Sequence, residues 1–171
     1  MMDMDIQNNL SFKERVLTYL PVFYVYAFSI LVSLNIVFFY DLNIRSLILY
    51  FLGFFSLTFG ILKFINLNSY VESLLEYDFI AQRFKLYAYL IPILELIFGV
   101  LFILQREILL IEYLCIIFFT LNIVVIANAL EKRRSFTCAC MGGLFKIPLS
   151  YVSLLESFTM VLGTIYLIYK M

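Results

Sequence analysis

Residues 16–40 read VLTYLPVFYVYAFSILVSLNIVFFY, a run without a single charged side chain. A transmembrane helix needs about 20 apolar residues, because each residue advances about 1.5 Å and the hydrocarbon core is about 30 Å thick. The run is long enough to cross with tilt and too long for the apolar core of a signal peptide. Lys13 and Arg15 precede it, and no small-residue cleavage site follows it. The stretch therefore predicts a retained transmembrane helix.

The remainder of the chain has the same apolar character. Of the 171 residues, 64% are hydrophobic and 14% are charged, and the mean hydropathy is +1.01. A soluble core of this size cannot bury so much apolar surface, so the composition indicates an integral membrane protein in contact with the lipid bilayer. The formal net charge is zero, and no basic surface suggests a nucleic-acid partner. The absence of histidine excludes His-based acid–base catalysis, His metal ligands and haem held by histidine.

Four more apolar segments follow the first, and each contains one charged residue. They are about 46–66 with Lys63, about 86–105 with Glu95, 108–130 with Glu112 and about 148–169 with Glu156. The sequence therefore predicts an all-α protein, an integral membrane bundle of five transmembrane helices. Because little more than Arg106 and Glu107 separates the third segment from the fourth, these two helices are expected to form a tight antiparallel hairpin.

The segment between the second and third apolar stretches, NLNSYVESLLEYDFIAQRFK (66–85), has helical periodicity. Apolar side chains recur at helical spacing, with acidic side chains between them. This pattern predicts a short amphipathic helix in the membrane interface, and the alternative is an ordinary polar connection. The apolar residues are Tyr70, Leu74, Leu75 and Phe79, and the acidic ones are Glu72, Glu76 and Asp78.

The charged residues within the apolar segments are candidates for a polar centre. Such residues usually face the bundle interior and pair there. Small residues at helical spacing accompany them, which favours close helix approach on the same face: Ser56 and Gly60 before Lys63, Gly99 after Glu95, and Gly163 after Glu156. We expect Lys63 to pair with Glu95 or Glu156. Two interpretations of this pair are open. In the functional one it belongs to a proton relay, a redox relay or a polar pocket, and in the structural one it is an ion pair that fixes the register of the helices. Glu112 lies near the opposite face, where its carboxyl is expected to reach the headgroups or stay neutral.

The cysteines divide into two kinds. Cys115 lies mid-segment among apolar residues and is interpreted as inert packing. Cys138 and Cys140 lie in the connection FTCACMGGLF (136–145), after the basic residues Lys132, Arg133 and Arg134 and before Gly142 and Gly143. Nearby cations raise the thiolate fraction of a cysteine, and the glycines permit the backbone angles that a tight ring needs.

The Cys138–Ala–Cys140 spacing leaves three interpretations open. A disulfide across one intervening residue closes a small strained ring, and strained disulfides suit exchange chemistry more than stapling. The reduced pair offers two soft thiolates to Cu(I) or Zn(II), but two ligands do not complete a tetrahedral site, so a stable metal site needs a second chain. The third interpretation is two idle interfacial cysteines.

The basic residues in the connections favour an amino terminus inside the cell and a carboxyl terminus outside. With that orientation, eight basic residues lie inside and three outside. The inner set is Lys13, Arg15, Arg83, Lys85, Lys132, Arg133, Arg134 and Lys146, and the outer set is Arg45, Arg106 and Lys170. This count predicts that Cys138 and Cys140 lie on the cytoplasmic side.

Three stretches together resemble the MauE group of the DoxX-like membrane proteins. They are GILKFINLNSYVESLL (60–75), YLIPILELIFGVLF (89–102) and ANALEKRRSFTCACMGG (127–143). The family pattern has a G-x-x-K-F/L helix end, a P-x-x-E-L-x-x-G helix, and a helix that ends in a basic residue before a C-x-C-F-G loop. The matching residues are Gly60, Lys63 and Phe64, then Pro92, Glu95 and Gly99, then Cys138, Cys140, Met141 and Gly142.

The resemblance implies a four-helix membrane domain linked to thiol–disulfide chemistry. MauE proteins are associated with maturation of the disulfide-rich small subunit of methylamine dehydrogenase, and relatives accompany thioredoxin-like partners. It implies a multi-pass protein of the bacterial inner membrane with residues 46–171 as the family domain, the CxC loop at 131–147, and residues 1–45 as a tail and additional helix. Two departures are Met141, where phenylalanine is usual, and that additional helix. MauE-type chemistry is expected outside the cytoplasm, which conflicts with the charge count.

The leading hypothesis from the sequence is a thiol–disulfide relay in which Cys138 and Cys140 exchange two electrons with a thioredoxin-like protein, with a quinone as a further candidate partner. The chain would then be a thiol–disulfide oxidoreductase or an accessory to one. The alternatives are a membrane protein that handles a soft metal such as Cu(I) through Cys138 and Cys140, and a structural subunit of a larger membrane complex. The sequence names no required cofactor and gives no oligomeric state.

Overall fold

A computed structural model of the chain describes residues 12–40, 43–105, 109–131 and 149–169, and these residues form helices and short connections without strands. The helices are α1 (Phe12–Phe39), α2 (Ile44–Ile65), α3 (Leu67–Tyr77), α4 (Phe79–Arg83), α5 (Lys85–Ile103), α6 (Leu109–Glu131) and α7 (Leu149–Tyr169). Within the described ranges, five of them are long and apolar enough to cross a membrane: α1, α2, α5, α6 and α7. The predicted all-α bundle and each predicted span are confirmed.

Among the described helices, α2 and α5 have the most extensive contact, and glycines permit their close approach. A Cβ atom added at Gly99 would lie 2.9 Å from the backbone nitrogen of Leu57 and 3.0 Å from the carbonyl oxygen of Gly53. Both of these atoms belong to the α2 backbone, so any side chain at Gly99 would separate the helices. Ser56 joins the same interface by donating its hydroxyl to the carbonyl oxygen of Glu95 at 2.8 Å. The predicted small-residue face of α2 therefore does meet that of α5.

The second pair is α6 with α7, and α7 also packs against α2. At the contact with α2, a Cβ atom on Gly163 would lie 2.6 Å from a methyl carbon of Leu52. The glycine on the Glu156 helix thus brings α7 against α2, as the small-residue pattern predicted. Helix α2 consequently lies at the centre of the bundle, with α1, α5 and α7 around it.

The tight hairpin predicted between α5 and α6 is wrong in its packing. Helix α5 pairs with α2 and α6 pairs with α7, so the two helices of the expected hairpin do not pack closely along their backbones. Aromatic rings separate them instead: the ring of Phe98 lies 5.7 Å from that of Phe118 and 6.4 Å from that of Phe119. Helix α5 ends before Gln105, whose positive φ of 50° turns the chain away from the helix axis.

Helix α1, the additional helix, packs against α2 on the outside of the bundle. Tyr26 links it to the other helices, because its hydroxyl is 2.6 Å from Thr159 Oγ1 on α7 and its ring is 4.7 Å from that of Phe55 on α2. Its outward side chains, such as Phe23 at 67% exposure, are apolar. A helix with this pattern suits a bilayer, in which lipid covers the outward face.

The predicted amphipathic segment is helical, but it forms two helices that meet at Asp78. Asp78 ends α3 and caps α4, because its Oδ1 accepts hydrogen bonds from the backbone nitrogens of Ile80 at 2.7 Å and Ala81 at 3.0 Å. Tyr70 and Leu74 are buried, and both α3 and α4 pack on α5. The two helices therefore cover the end of the bundle at which α2 ends and α5 begins. Their insertion in the membrane interface stays a prediction.

Gly99→Ala is expected to destabilise the protein by about 1–3 kcal/mol, because the new methyl group meets backbone atoms of α2 and forces the two helices apart. Gly60→Ala is the matched control on α2. Its methyl group would meet chiefly the side chain of Leu96, at 3.0 Å, which can move. Unfolding of both variants in mixed micelles measures the difference. Equal stability of the two variants would contradict the close α2–α5 packing.

Candidate functional site

The buried polar centre of the bundle is an ion cluster of Lys63, Glu95 and Glu156. The Lys63 ammonium donates to Oε1 of Glu95 and, at 2.8 Å, to Oε1 of Glu156. Relative exposures are 4% for Lys63, 1% for Glu95 and 4% for Glu156. The expected ion pair is confirmed in geometry, and Lys63 binds both of the candidate carboxyl groups at once. One side chain thereby joins helices α2, α5 and α7.

Neighbouring groups fix the position of the Lys63 ammonium. The nitrogen lies 5.8 Å from the centre of the Phe59 ring and 6.0 Å from that of the Tyr70 ring, within the range of cation–π attraction. Phe59 lies one turn before Lys63 on α2, whereas Tyr70 comes from α3. The cap over the bundle therefore contributes directly to the electrostatics of the cluster.

A small cavity of about 30 Å³ adjoins the ion cluster, which is enough space for one or two water molecules. Five helices contribute residues to its lining, which contains charged, hydroxyl, amide and apolar side chains. The polar lining residues are Lys63, Tyr70, Tyr77, Asp78, Glu95, Asn122, Ser153, Glu156 and Ser157. Because these residues lie near the end of α2, the start of α5, the end of α6 and the start of α7, the cavity is at one end of the bundle.

Three of the lining groups lie outside the membrane-spanning helices, and burial acts on all of them. Burial raises the pKa of the Asp78 carboxyl, although the hydrogen bonds from Ala81 and Ile80 oppose the shift. Burial, and after it the Glu95 carboxylate, raises the pKa of Tyr70 well above its usual value. Burial, and after it Asp78, likewise raises the pKa of Tyr77. The two tyrosines therefore remain neutral hydroxyl groups at any physiological pH.

Asp78, Tyr70 and Tyr77 were missed as site residues in the sequence. The amphipathic pattern grouped Asp78 with the polar face, but the residue is only 1% exposed, because capping α4 turns its carboxylate inward. The signal that could have found it is an aspartate just before a helical run, which is a common N-cap. For Tyr70, the amphipathic pattern predicted that the side chain lies on the apolar face of its helix. The pattern did not indicate that this face covers Lys63.

Glu112 and Cys115 lie in a different part of the bundle. Glu112 is in the first turn of α6, but its side chain is 1% exposed and turned into the protein, so the expectation that it reaches the headgroups is not met. Cys115 is fully buried, and its Sγ lies 3.6 Å from Thr164 Oγ1 on α7. This environment agrees with its interpretation as a packing residue.

The cysteine pair and its flanking residues lie outside the described residues. This concerns Cys138 and Cys140, the basic residues Arg133 and Arg134, and the glycines Gly142 and Gly143. The chain connectivity still places their segment between the end of α6 at Glu131 and the start of α7 at Leu149. Both helix ends are on the side of the bundle that holds the cavity. Among the described residues, no group of three or more Cys, Asp or Glu side chains could hold a metal ion.

Comparison with protein families gives a match over residues 39–170 to the model described as methylamine utilisation protein MauE. The chain belongs to the MauE family. The match begins at the end of α1 and covers the four following transmembrane helices of this MauE protein, together with its Cys138–Cys140 segment. A search of curated proteins and a search of solved structures gave no match. The resemblance read from the sequence is therefore confirmed at the level of the family.

Lys63→Met is expected to lower the free energy of unfolding by about 3–5 kcal/mol, because it leaves two buried carboxyl groups without their cation. The triple variant K63M/E95M/E156M should recover most of this loss, since it removes every charge of the cluster while keeping long side chains. Unfolding in mixed micelles at neutral pH measures both. A K63M protein as stable as the wild type would show that the ion cluster contributes no stability.

Proposed function

We propose that this MauE-family protein exchanges disulfides with a thioredoxin-like partner through Cys138 and Cys140. The observation that carries the proposal is the polar cavity at the bundle end to which the cysteine segment is tethered at both of its ends. The family match is to methylamine utilisation protein MauE, and the resemblance described above associates such proteins with the maturation of a disulfide-rich partner. The flanking Lys132, Arg133 and Arg134 favour the thiolate form that attacks a disulfide.

The proposed exchange proceeds in two balanced steps. A thiolate of the partner attacks the Cys138–Cys140 disulfide, so that this bond breaks, a mixed disulfide forms and one of the two cysteines leaves as a thiolate. The second thiolate of the partner then attacks the mixed disulfide. The partner becomes a disulfide, and the Cys138–Cys140 pair becomes a dithiol that has gained two electrons and takes up two protons. Reversing both steps reduces the partner instead.

A second reaction must return the pair to its starting state. A membrane quinone is an acceptor of the right class, since it takes two electrons and two protons and becomes a quinol. A second thioredoxin-like protein with an oxidised active site would serve equally, by the same exchange steps. In either case the chain works as a multi-pass protein of the bacterial cytoplasmic membrane, where lipid-soluble and water-soluble partners can both reach one bundle end.

Trapping with single-cysteine variants tests this proposal. In a Cys115→Ala background, C140S and C138S each leave one thiol, and a mixed disulfide formed with a thioredoxin-like protein cannot then be resolved by its neighbour. We expect one of the two variants to accumulate a covalent adduct with a thioredoxin-like partner that keeps only its attacking cysteine, activated beforehand as a mixed disulfide with thionitrobenzoate. The thiolate of the variant attacks this disulfide, and thionitrobenzoate leaves as a thiolate. Non-reducing electrophoresis and mass spectrometry identify the adduct and the cysteine that carries it.

The variant C115A/C138S/C140S is the matched control and should form no adduct. Thiols of both single-cysteine variants that react fully with a maleimide, yet form no adduct with any thioredoxin-like protein activated in this way, would overturn the proposal. The result does not depend on which side of the membrane carries Cys138 and Cys140, because the partner reaches both membrane faces when the vesicles have been made permeable.

A further inference from the structure

We propose that the Lys63–Glu95–Glu156 cluster is a proton-binding site, in which the two carboxyl groups together hold one proton beside a charged lysine. The site would exchange this proton through the adjoining cavity with the bundle end covered by α3 and α4. The inference does not require the thiol chemistry proposed above, so its test uses no cysteine.

The first support is the charge balance of the cluster. Two carboxyl groups share a single ammonium, so full ionisation would leave a net charge of −1 among groups that are 1–4% exposed. An uncompensated charge in a membrane protein interior costs several kcal/mol, and it is usually removed by binding a proton or a counter-ion. One added proton makes the cluster neutral while leaving Lys63 its ion pair.

The second support is an unpartnered carboxyl oxygen on Glu95, a residue that lines the cavity. Oε1 of Glu95 accepts from Lys63, but Oε2 of the same carboxyl is buried and has no hydrogen-bond partner. Oε1 of Glu95 and Oε1 of Glu156 bind the same Lys63 ammonium, so the two carboxyl groups lie close together around it. A proton held between the two groups therefore supplies the donor that the unpartnered oxygen lacks.

The third support is the surroundings of the two carboxyl groups, which offer no second cation. Six other titratable side chains surround the two carboxyl groups. They are Tyr26 from α1, Lys63 from α2, Tyr70 and Tyr77 from α3, Asp78 from the α3–α4 junction and Tyr87 from α5. Within this described set Lys63 is the sole basic residue, and helix α6 contributes the neutral Asn122. The balancing positive charge must then come from outside, as a proton or a small cation.

The cavity supplies a route for the proton. Glu95, Glu156 and Asp78 all line it, and its volume of about 30 Å³ accommodates water. Water in the cavity can hydrogen-bond to the unpartnered carboxyl oxygen and to the serine hydroxyls nearby. Proton exchange thus requires neither unfolding of the bundle nor opening of the α2–α5 interface.

Infrared spectroscopy of the full chain in bilayers at neutral pH tests the inference, because protonated and ionised carboxyl groups absorb in separate bands. Glu95→Gln and Glu156→Gln each leave one carboxyl beside Lys63. Each difference spectrum against wild type should therefore show the loss of one protonated carboxyl, with the number of carboxylates unchanged. Lys63→Met should give the opposite result, a gain of one protonated carboxyl and a loss of one carboxylate.

A background with E112Q and D78N removes the other carboxyl groups that are buried among the described residues and keeps the cluster, and asparagine preserves the cap at position 78. This background should retain one protonated carboxyl, whose band shifts when the bilayers are transferred to D₂O. It keeps the test decisive even where E95Q or K63M fails to fold. A spectrum without that band, or an E95Q difference that removes a carboxylate and no protonated carboxyl, would overturn the inference and assign the balancing charge to a bound cation.

Discussion

The ammonium group of Lys63 is the constraint on which the rest of the bundle depends. It is buried within a membrane-spanning helix, so it must bind acidic side chains inside the protein, and it binds one carboxyl group from α5 and one from α7. This requirement sets the rotation of three helices about their axes at once. The close α2–α5 approach at Gly53 and Gly99 and the contact of Gly163 with α2 follow from the same rotations, because the small residues lie on the faces that carry the charges.

The same cluster gives the two ends of the bundle different characters. At one end, α3 and α4 cover a polar cavity with Tyr70, Tyr77 and Asp78, and the segment that carries Cys138 and Cys140 begins and ends there. Towards the other end, the aromatic packing of Phe98, Phe118 and Phe119 fills the space between α5 and α6. Chemistry that needs protons and access from water is therefore favoured at the first end. The proposed exchange of disulfides, which releases and takes up protons, uses the cysteines of the segment that begins and ends there.

Much of this arrangement could be predicted from the sequence, because the membrane restricts where residues can lie. Charged residues within the spans face the bundle interior, and small residues favour the faces at which helices meet. Apolar run length gave the spans, and the glycines near Lys63, Glu95 and Glu156 indicated their inward faces. Helix partners were harder: chain proximity suggested an α5–α6 hairpin, whereas glycine contacts favour α2 with α5. The inward turn of Asp78 also escaped prediction, since periodicity describes one continuous helix and the carboxylate caps the start of a second.

The central claim of this account is that Cys138 and Cys140 form a reversible disulfide with each other. The most direct measurement is to equilibrate the wild-type protein in bilayers with redox buffers of graded potential, quench with acid and count the alkylated cysteines by mass spectrometry. The account predicts that Cys138 and Cys140 lose reactivity together in a single two-electron transition, while the buried Cys115 keeps its thiol throughout. Two thiols that remain alkylatable at every potential would contradict it.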